Sequence, residues 1–492
     1  MKVEFITHAC LKLSDSFGTL CCDPWLLNEP VFNLSTWKFP PNPARPEVTV
    51  RDVDYLLITH THEDHFHIPS LHYFSRDTPI FLSAFDRHPS LRAHTLEITL
   101  RKLGFHQIRR LNDWETVQLD EHCELTMIPS SFSRSQDWEN AGFVLRTPDC
   151  TLLNLNDNIN DEALCNEIKS RFDHIDICFI QTGGVTMYPG CFKMSEETMR
   201  EEAHKRKIAF ADQRRMLEFI QPACIAPFAG DFCWLAPQYK HQNWANRTTP
   251  LLMQSMIEED FSWLNVDMVL MQPGDQWSKD SGLVERYPRI QWNDYLKAID
   301  RLSETFKEKI QRIDRWLRES PMDNLEERSR CHTEKVMRHI THDYIDFTAR
   351  FRMVIEGSTH SFSFVTKANP LDGFCIDWND SDPVEQTLYI PEHIWAAIMD
   401  GRLMWNIIQW VAVAEQTTFT RDMGRFWFWM EYHIDLNSKN IQALICDHLW
   451  PHVTNRIRPT YGAFPIANQH EAVHAWYAQL HAEHETPATD DA

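Results

Sequence analysis

The chain has 492 residues, 43% hydrophobic and 12% aromatic, enough to bury large cores and too many for one ordinary core, so two domains are expected. A formal net charge of −22 repels phosphate backbones and anionic lipid headgroups, which argues against nucleic acid as a partner and leaves a small-molecule substrate; an anionic one stays open where a metal or local cations dominate the pocket. The 13 cysteines include no C-x-x-C pair, the N-terminus opens as a strand, and no run of 18 apolar residues occurs, so the expectation is reduced thiols, a cytoplasmic location and no membrane span.

Residues 2–26 read as two strands joined by a turn at Asp15, Ser16 and Gly18. Residues 27–51 are proline-rich and irregular, a loop long enough to serve as a lid. Residues 54–59 form a short apolar strand suited to a sheet covered on both faces. Strands are then expected at 79–83, 125–128, 141–146, 151–155, 175–181 and 223–227, and helices at 89–104, 161–172 and about 195–220. Ser195 is a plausible N-cap for the last of these, with Glu196 and Glu197 in its first turn. Strand pairs alternating with covering helices fit a four-layer α/β sandwich, assigned to residues 1–290. Leu296, Ile299, Leu302, Phe306, Ile310, Ile313 and Leu317 recur at helical spacing, so 290–320 reads as one amphipathic helix within a linker at 291–326. Residues 327–492 read as a smaller α+β domain: helix 327–340, strands 347–356, 361–366 and 373–377, then an apolar helix-rich stretch at 391–413. Its aromatic run Phe426–Trp429 reads as packing.

The string that carries chemistry is Thr59-His60-Thr61-His62-Glu63-Asp64-His65, directly after an apolar strand. His60 and His62, two apart on a tight turn, can face one cation; Asp64 and His65 can face a second. Imidazole with carboxylate suits zinc, iron or manganese rather than calcium. A dinuclear site needs a bridging carboxylate, and Asp157, ending the strand 151–155, is the best candidate. His67 reads as a supporting or surface residue. His8, a lone histidine on a strand, either lines the pocket or is structural.

With these residues in view the chain resembles the metallo-β-lactamase superfamily, and within it enzymes like L-ascorbate-6-phosphate lactonase and N-acylphosphatidylethanolamine phospholipase D. His8-Ala9-Cys10 and Asp23-Pro24-Trp25 carry the second likeness. Further segments look similar to the CMP-N-acetylneuraminate hydroxylases without their N-terminal Rieske domain: Asn154–Asp157, Gly183-Gly184, Gln221-Pro222, Pro227–Gly230, Pro273-Gly274 and Asp400–Trp405. The resemblance implies an αββα sandwich, and residues 330–435 also look like a sterol-carrier-type fold. It also implies two further histidine ligands, yet residues 128–140 and 227–231 hold none. Asp137 or Glu139 in the first segment and Asp231 in the second are the oxygen donors that could stand in, and Arg134 is a candidate cation for an anionic substrate.

An oxygen-rich set is harder than an all-histidine one and favours iron. The expectation is therefore a non-haem, diiron oxygenase hydroxylating a small polar metabolite, with dioxygen as co-substrate and a separate electron donor. The alternative is a dinuclear zinc or manganese hydrolase of an ester, lactone or phosphodiester, with Asp64 beside the nucleophile. A non-catalytic protein with a degenerate site is the third reading, against which the intact histidine string speaks.

Overall fold

Alternating apolar residues at the N-terminus build three strands, Lys2–Thr7, Cys10–Asp15 and Gly18–Cys22, in the computed structural model of the chain. The sequence reading merged the first two. The break falls at His8, whose φ of 46° is left-handed, a conformation that His, Asn and Asp adopt more readily than other side chains. The structure describes residues 1–32, 34–84, 92–131, 140–158, 160–182, 188–207, 209–337, 348–384, 386–400, 402–403, 412–415 and 466–485.

The three strands extend through Tyr55–Ile58, Ile80–Ser83 and Ile108–Leu111 on one side and Gln276–Ser278 and Gly282–Val284 on the other, giving an eight-stranded sheet. A seven-stranded sheet holds Thr116–Gln118, Glu124–Pro129, Ala141–Arg146, Thr151–Asn156, Ile177–Gln181, Cys224–Phe228 and Asp267–Met268. The sheets bury one face against each other: Phe5, Leu11, Leu13 and Leu20 meet Met127, Phe143, Leu145 and Phe179 in a single cluster. On the outer face of the second sheet, Val144, Leu153 and Ile225 pack against Leu164 and Ile168 of helix Glu162–Arg171 and Met253 of helix Pro250–Asp260. On the outer face of the first, Cys21, Leu56 and Leu82 pack against Leu96 and Leu100 of helix Arg92–Lys102. This is the expected αββα sandwich: each sheet buries both faces, so its strands read as apolar runs.

Several expected elements differ. The long helix at 195–220 is two helices, Glu196–Lys207 and Ala211–Phe219, separated where Phe210 is left-handed at φ 40° and buried. Ser195 caps the first, its hydroxyl accepting from Thr198 N at 3.2 Å. The helix at 290–320 is likewise two, Tyr295–Thr305 and Lys307–Arg318; Phe306 interrupts it and stacks on Trp37 with ring centroids 5.2 Å apart. The loop expected as a lid is packed inside. Apart from Leu34, its described residues from 24 to 43 are buried, and its strand Thr36–Lys38 pairs with Phe232–Trp234.

A five-stranded mixed sheet follows, in the order Gly373–Asp377, Ser361–Asn369, Ala349–Glu356, Gln386–Pro391, Val413–Glu415, with helix Glu392–Met399 packed on it. The last two strands had been missed, the first of them because it runs straight into the helix that dominates the local pattern. Lys193 N donates to Ala414 O at 2.8 Å, tying this sheet to the sandwich. Helix Ile466–Glu485 packs on Tyr295–Thr305, where Trp476 Nε1 donates to Ala298 O at 3.1 Å. Among the described residues no helix is long and apolar enough to cross a membrane. Gly183-Gly184 and the run Phe426–Trp429 lie outside the described residues.

Candidate metal centre

The strands Gly18–Cys22 and Tyr55–Ile58 run parallel in one sheet, and Thr151–Asn156, Ile177–Gln181 and Cys224–Phe228 run parallel in the other. The residues that follow their carboxyl ends are Asp23, Thr59–His65, Asp157, Thr182 and Ala229–Asp231. Parallel strands leave a crevice at this edge, the usual place for a ligand in α/β folds. Among the described residues here, four non-glycine positions are left-handed: His8 (46°), Asp23 (42°), Asn156 (51°) and Ala229 (48°). Such positions cost about 1–3 kcal/mol each and persist where the surroundings over-determine them, as at functional sites.

Two groups of ligand atoms converge in the crevice, each with its atoms within 4.8 Å of one another: His8, Asp64 and His65 in one, His60, His62 and Asp157 in the other. Asp64 Oδ2 lies 2.9 Å from His8 Nε2 and 3.7 Å from His65 Nε2. His60 Nε2 lies 2.8 Å from His62 Nδ1. Asp157 Oδ2 reaches both groups, 3.7 Å from His60 Nε2 and 3.4 Å from His65 Nε2.

Asp23, fully buried, sets the imidazoles. Its carboxylate accepts from Thr59 N at 2.8 Å, Thr59 Oγ1 at 2.7 Å, Asn156 Nδ2 at 2.8 Å and His65 Nδ1 at 3.0 Å. Donating Nδ1–H to Asp23 leaves His65 Nε2 as a lone pair. The Thr59 hydroxyl gives its proton to Asp23, so Oγ1 accepts from His60 Nδ1–H at 3.0 Å, which leaves His60 Nε2 as a lone pair too. Both nitrogens are thereby presented to the crevice in the tautomer a metal needs, the work of a carboxylate behind a ligand histidine.

The residues fit a cation. Asp64 Oδ1, His65 Nε2 and Asp157 Oδ1 are buried with no hydrogen-bond partner, and buried polar atoms are otherwise nearly always paired. The local field favours positive charge. Burial pushes the His65 imidazolium down, but Asp64 and Asp157 outweigh it and hold its pKa well above the usual histidine value. Burial likewise raises Asp64, and the histidines His65, His8 and His62 outweigh it, keeping this carboxylate ionised. Two His/Asp clusters this close are consistent with a dinuclear site.

The structure thus gathers His60, His62, Asp64, His65, Asp157 and His8. Arg134, Asp137 and Glu139 lie outside the described residues. Asp231 belongs to neither group, and His8 stands in one of them. Among the described residues the two groups comprise four histidines and two aspartates. His67 is buried and meets Ser70 Oγ at 2.7 Å through Nδ1. Asp23, Thr59 and Asn156 went unread as site residues, although Asp23 ends a strand just as Asp157 does.

Residues 24–210 match the family model described as a beta-lactamase superfamily domain. A protein of Mycobacterium tuberculosis named as a Rieske 2Fe-2S iron–sulfur protein is 27% identical over 248 residues, 49% of this chain and 46% of that protein. The cytidine monophosphate-N-acetylneuraminic acid hydroxylase of Danio rerio is 23% identical over 274 residues, 53% of this chain and 43% of that protein. The chain thus spans a little under half the length of these relatives, and the comparisons do not single out the hydroxylases above the Rieske proteins. A structure from Veillonella parvula, described as "a possible metal-dependent hydrolase", superposes with a TM-score of 0.41 at 16% identity, over 56% of this chain and 98% of that one. The matched segment, the two facing sheets and the histidine-bearing loops at their common edge together give this chain the metallo-β-lactamase superfamily fold.

Proposed function

We propose that the chain is a metal-dependent hydrolase that cleaves an ester, lactone or phosphodiester bond in a small polar metabolite. The observation that carries this reading is the pair of histidine-rich triads joined by Asp157, which lies within 3.7 Å of a histidine in each. His60 and His62 would hold one ion, His65, Asp64 and His8 the second, and Asp157 would bridge them. Metal ions held there would supply Lewis-acid chemistry, lowering the pKa of water and polarising a carbonyl or phosphoryl oxygen. The chain's own part is positional. Asp23 fixes two imidazole tautomers, and the ionised Asp64, with Oδ1 unpartnered, would help hold the second ion and orient the attacking water.

A second reading, an iron-dependent oxygenase fed by a separate electron donor, is supported by the relatives named as hydroxylases and Rieske proteins. Elemental analysis with anaerobic assay separates the two. Zinc or manganese with ester or phosphodiester cleavage in the absence of oxygen supports the hydrolase. Iron with substrate-dependent oxygen uptake overturns it.

A further inference from the structure

A cleft of about 300 Å³ lies where the sandwich meets helix Lys307–Arg318 and helix Glu392–Met399 of the C-terminal sheet. Its lining is graded by depth. Trp37, Leu317 and Ile394 are buried and form the floor, while Ile310, Ile313 and Tyr239 are half-buried on the walls. Ile310, Ile313 and Leu317 recur three and four positions apart, so the helix turns one apolar face into the cleft. Gln311, Asp314 and Arg318 recur in the same way along the neighbouring stripe and, with Gln238, line the mouth. Arg318 Nε donates to Asp314 Oδ2 at 2.9 Å, so the two charges at the mouth offset each other. Burial raises the pKa of the Tyr239 hydroxyl and keeps it a donor.

The cleft is separate from the candidate metal centre. None of the candidate ligands lines it. Tyr239 packs on the cluster of Trp25, Val31, Phe32, Phe232 and Trp234. That cluster in turn meets the ligand histidines, Trp25 at 5.5 Å from the His8 ring and Phe32 at 6.2 Å from the His62 ring. A molecule in the cleft therefore stands behind an aromatic layer, at the junction of the two units, where ligand pockets are often found.

Three properties define the occupant. The volume is about twice the roughly 150 Å³ of a protein cavity that takes up benzene, which is room for about ten to twelve heavy atoms. The floor and walls are apolar, so burial of an apolar body supplies the affinity. The mouth offers amide and hydroxyl groups but no unpaired charge among the described residues, so an ion gains nothing there. We propose that this cleft is a second ligand site, which binds an uncharged small molecule of that size with an apolar body and a single hydrogen-bonding group. This does not rest on the hydrolase reading.

The probe is 2-naphthol, a fused-ring phenol of the right size that is uncharged at neutral pH. Titration calorimetry on the full chain, as purified, is expected to show saturable binding of one molecule per chain. The dissociation constant should fall below about 1 mM, with a negative heat-capacity change from apolar burial. Ile313→Trp, which fills the cleft from the helix, should weaken binding by about tenfold or more. Ala236→Phe fills it from the segment after strand Phe232–Trp234 and decides the matter if Ile313→Trp does not fold. Removing metal with a chelator should leave the affinity unchanged. No saturable binding, equal affinity in the wild type and every folded cleft variant, or binding lost with the metal overturns the proposal. Naphthalene-2-sulfonate binding as tightly as 2-naphthol overturns the assignment to an uncharged ligand. Normal 2-naphthol binding in a protein without metal-dependent hydrolysis would sink the hydrolase reading alone.

Discussion

Asp23 is the residue on which the candidate centre turns, because one carboxylate fixes two ligand tautomers and joins both sheets through Thr59 and Asn156. Asp23→Asn keeps the shape but makes the amide compete for the same donors. It should weaken metal affinity about 10–100-fold, read by competition with a chromophoric chelator; unchanged affinity would remove Asp23 from the account. The string His60–His65 was legible as a candidate because four possible ligands fall within six residues, and Asp157 because it ends an apolar strand. His8 was only half legible, since its approach to Asp64 depends on a left-handed turn between strands. Asp23 was not legible as a site residue, since its partners are 36, 42 and 133 positions away.

At the scale of elements, apolar periodicity found most strands and located helices without their interruptions. Phe210 and Phe306 split two expected helices, and neither Gly nor Pro marks either break; the cause is tertiary burial of the aromatic ring. Helix Glu392–Met399 shows a local device. Glu392 in its first turn accepts from Ser358, Thr359 and His360 N at 2.9, 3.2 and 2.8 Å, holding the turn between two strands. Burial is the largest single influence and raises its pKa, but the three amides together outweigh it and lower it from the usual glutamate value. A lowered folded pKa stabilises above the unfolded value and is lost as pH falls through the folded one. Glu392→Ala should therefore cost about 1–3 kcal/mol at neutral pH, and the gap from wild type should shrink below about pH 4 in urea melts. A gap independent of pH would mean that the carboxylate's charge is irrelevant. Helix Ile466–Glu485 rests on Trp476, buried against Ala298. Trp476→Ala should cost about 3–5 kcal/mol in denaturant unfolding, and a change under 1 kcal/mol would show the helix to be dispensable.

Across the whole molecule, the sandwich was legible because its central strands are covered on both faces and read as apolar runs, whereas edge strands such as Ile108–Leu111, Thr116–Gln118 and Gly282–Val284 carry no such run and were not legible. The way the C-terminal helix returns to Tyr295–Thr305 was not, because it joins residues about 180 positions apart. The candidate centre bridges the two sheets, so a bound ion should stabilise the sandwich as a ligand of the native state. Chelation is expected to lower the unfolding temperature, and the fall should reverse when metal is restored. An unfolding temperature indifferent to chelator would mean that the crevice holds no ion tightly. The central claim, two adjacent metal sites with His8 completing the second, is tested most directly by counting metal ions per chain in the wild type and in His8→Ala. The account predicts two in the wild type and a selective loss of one in the variant. One or none in the wild type, or two in both, would contradict it.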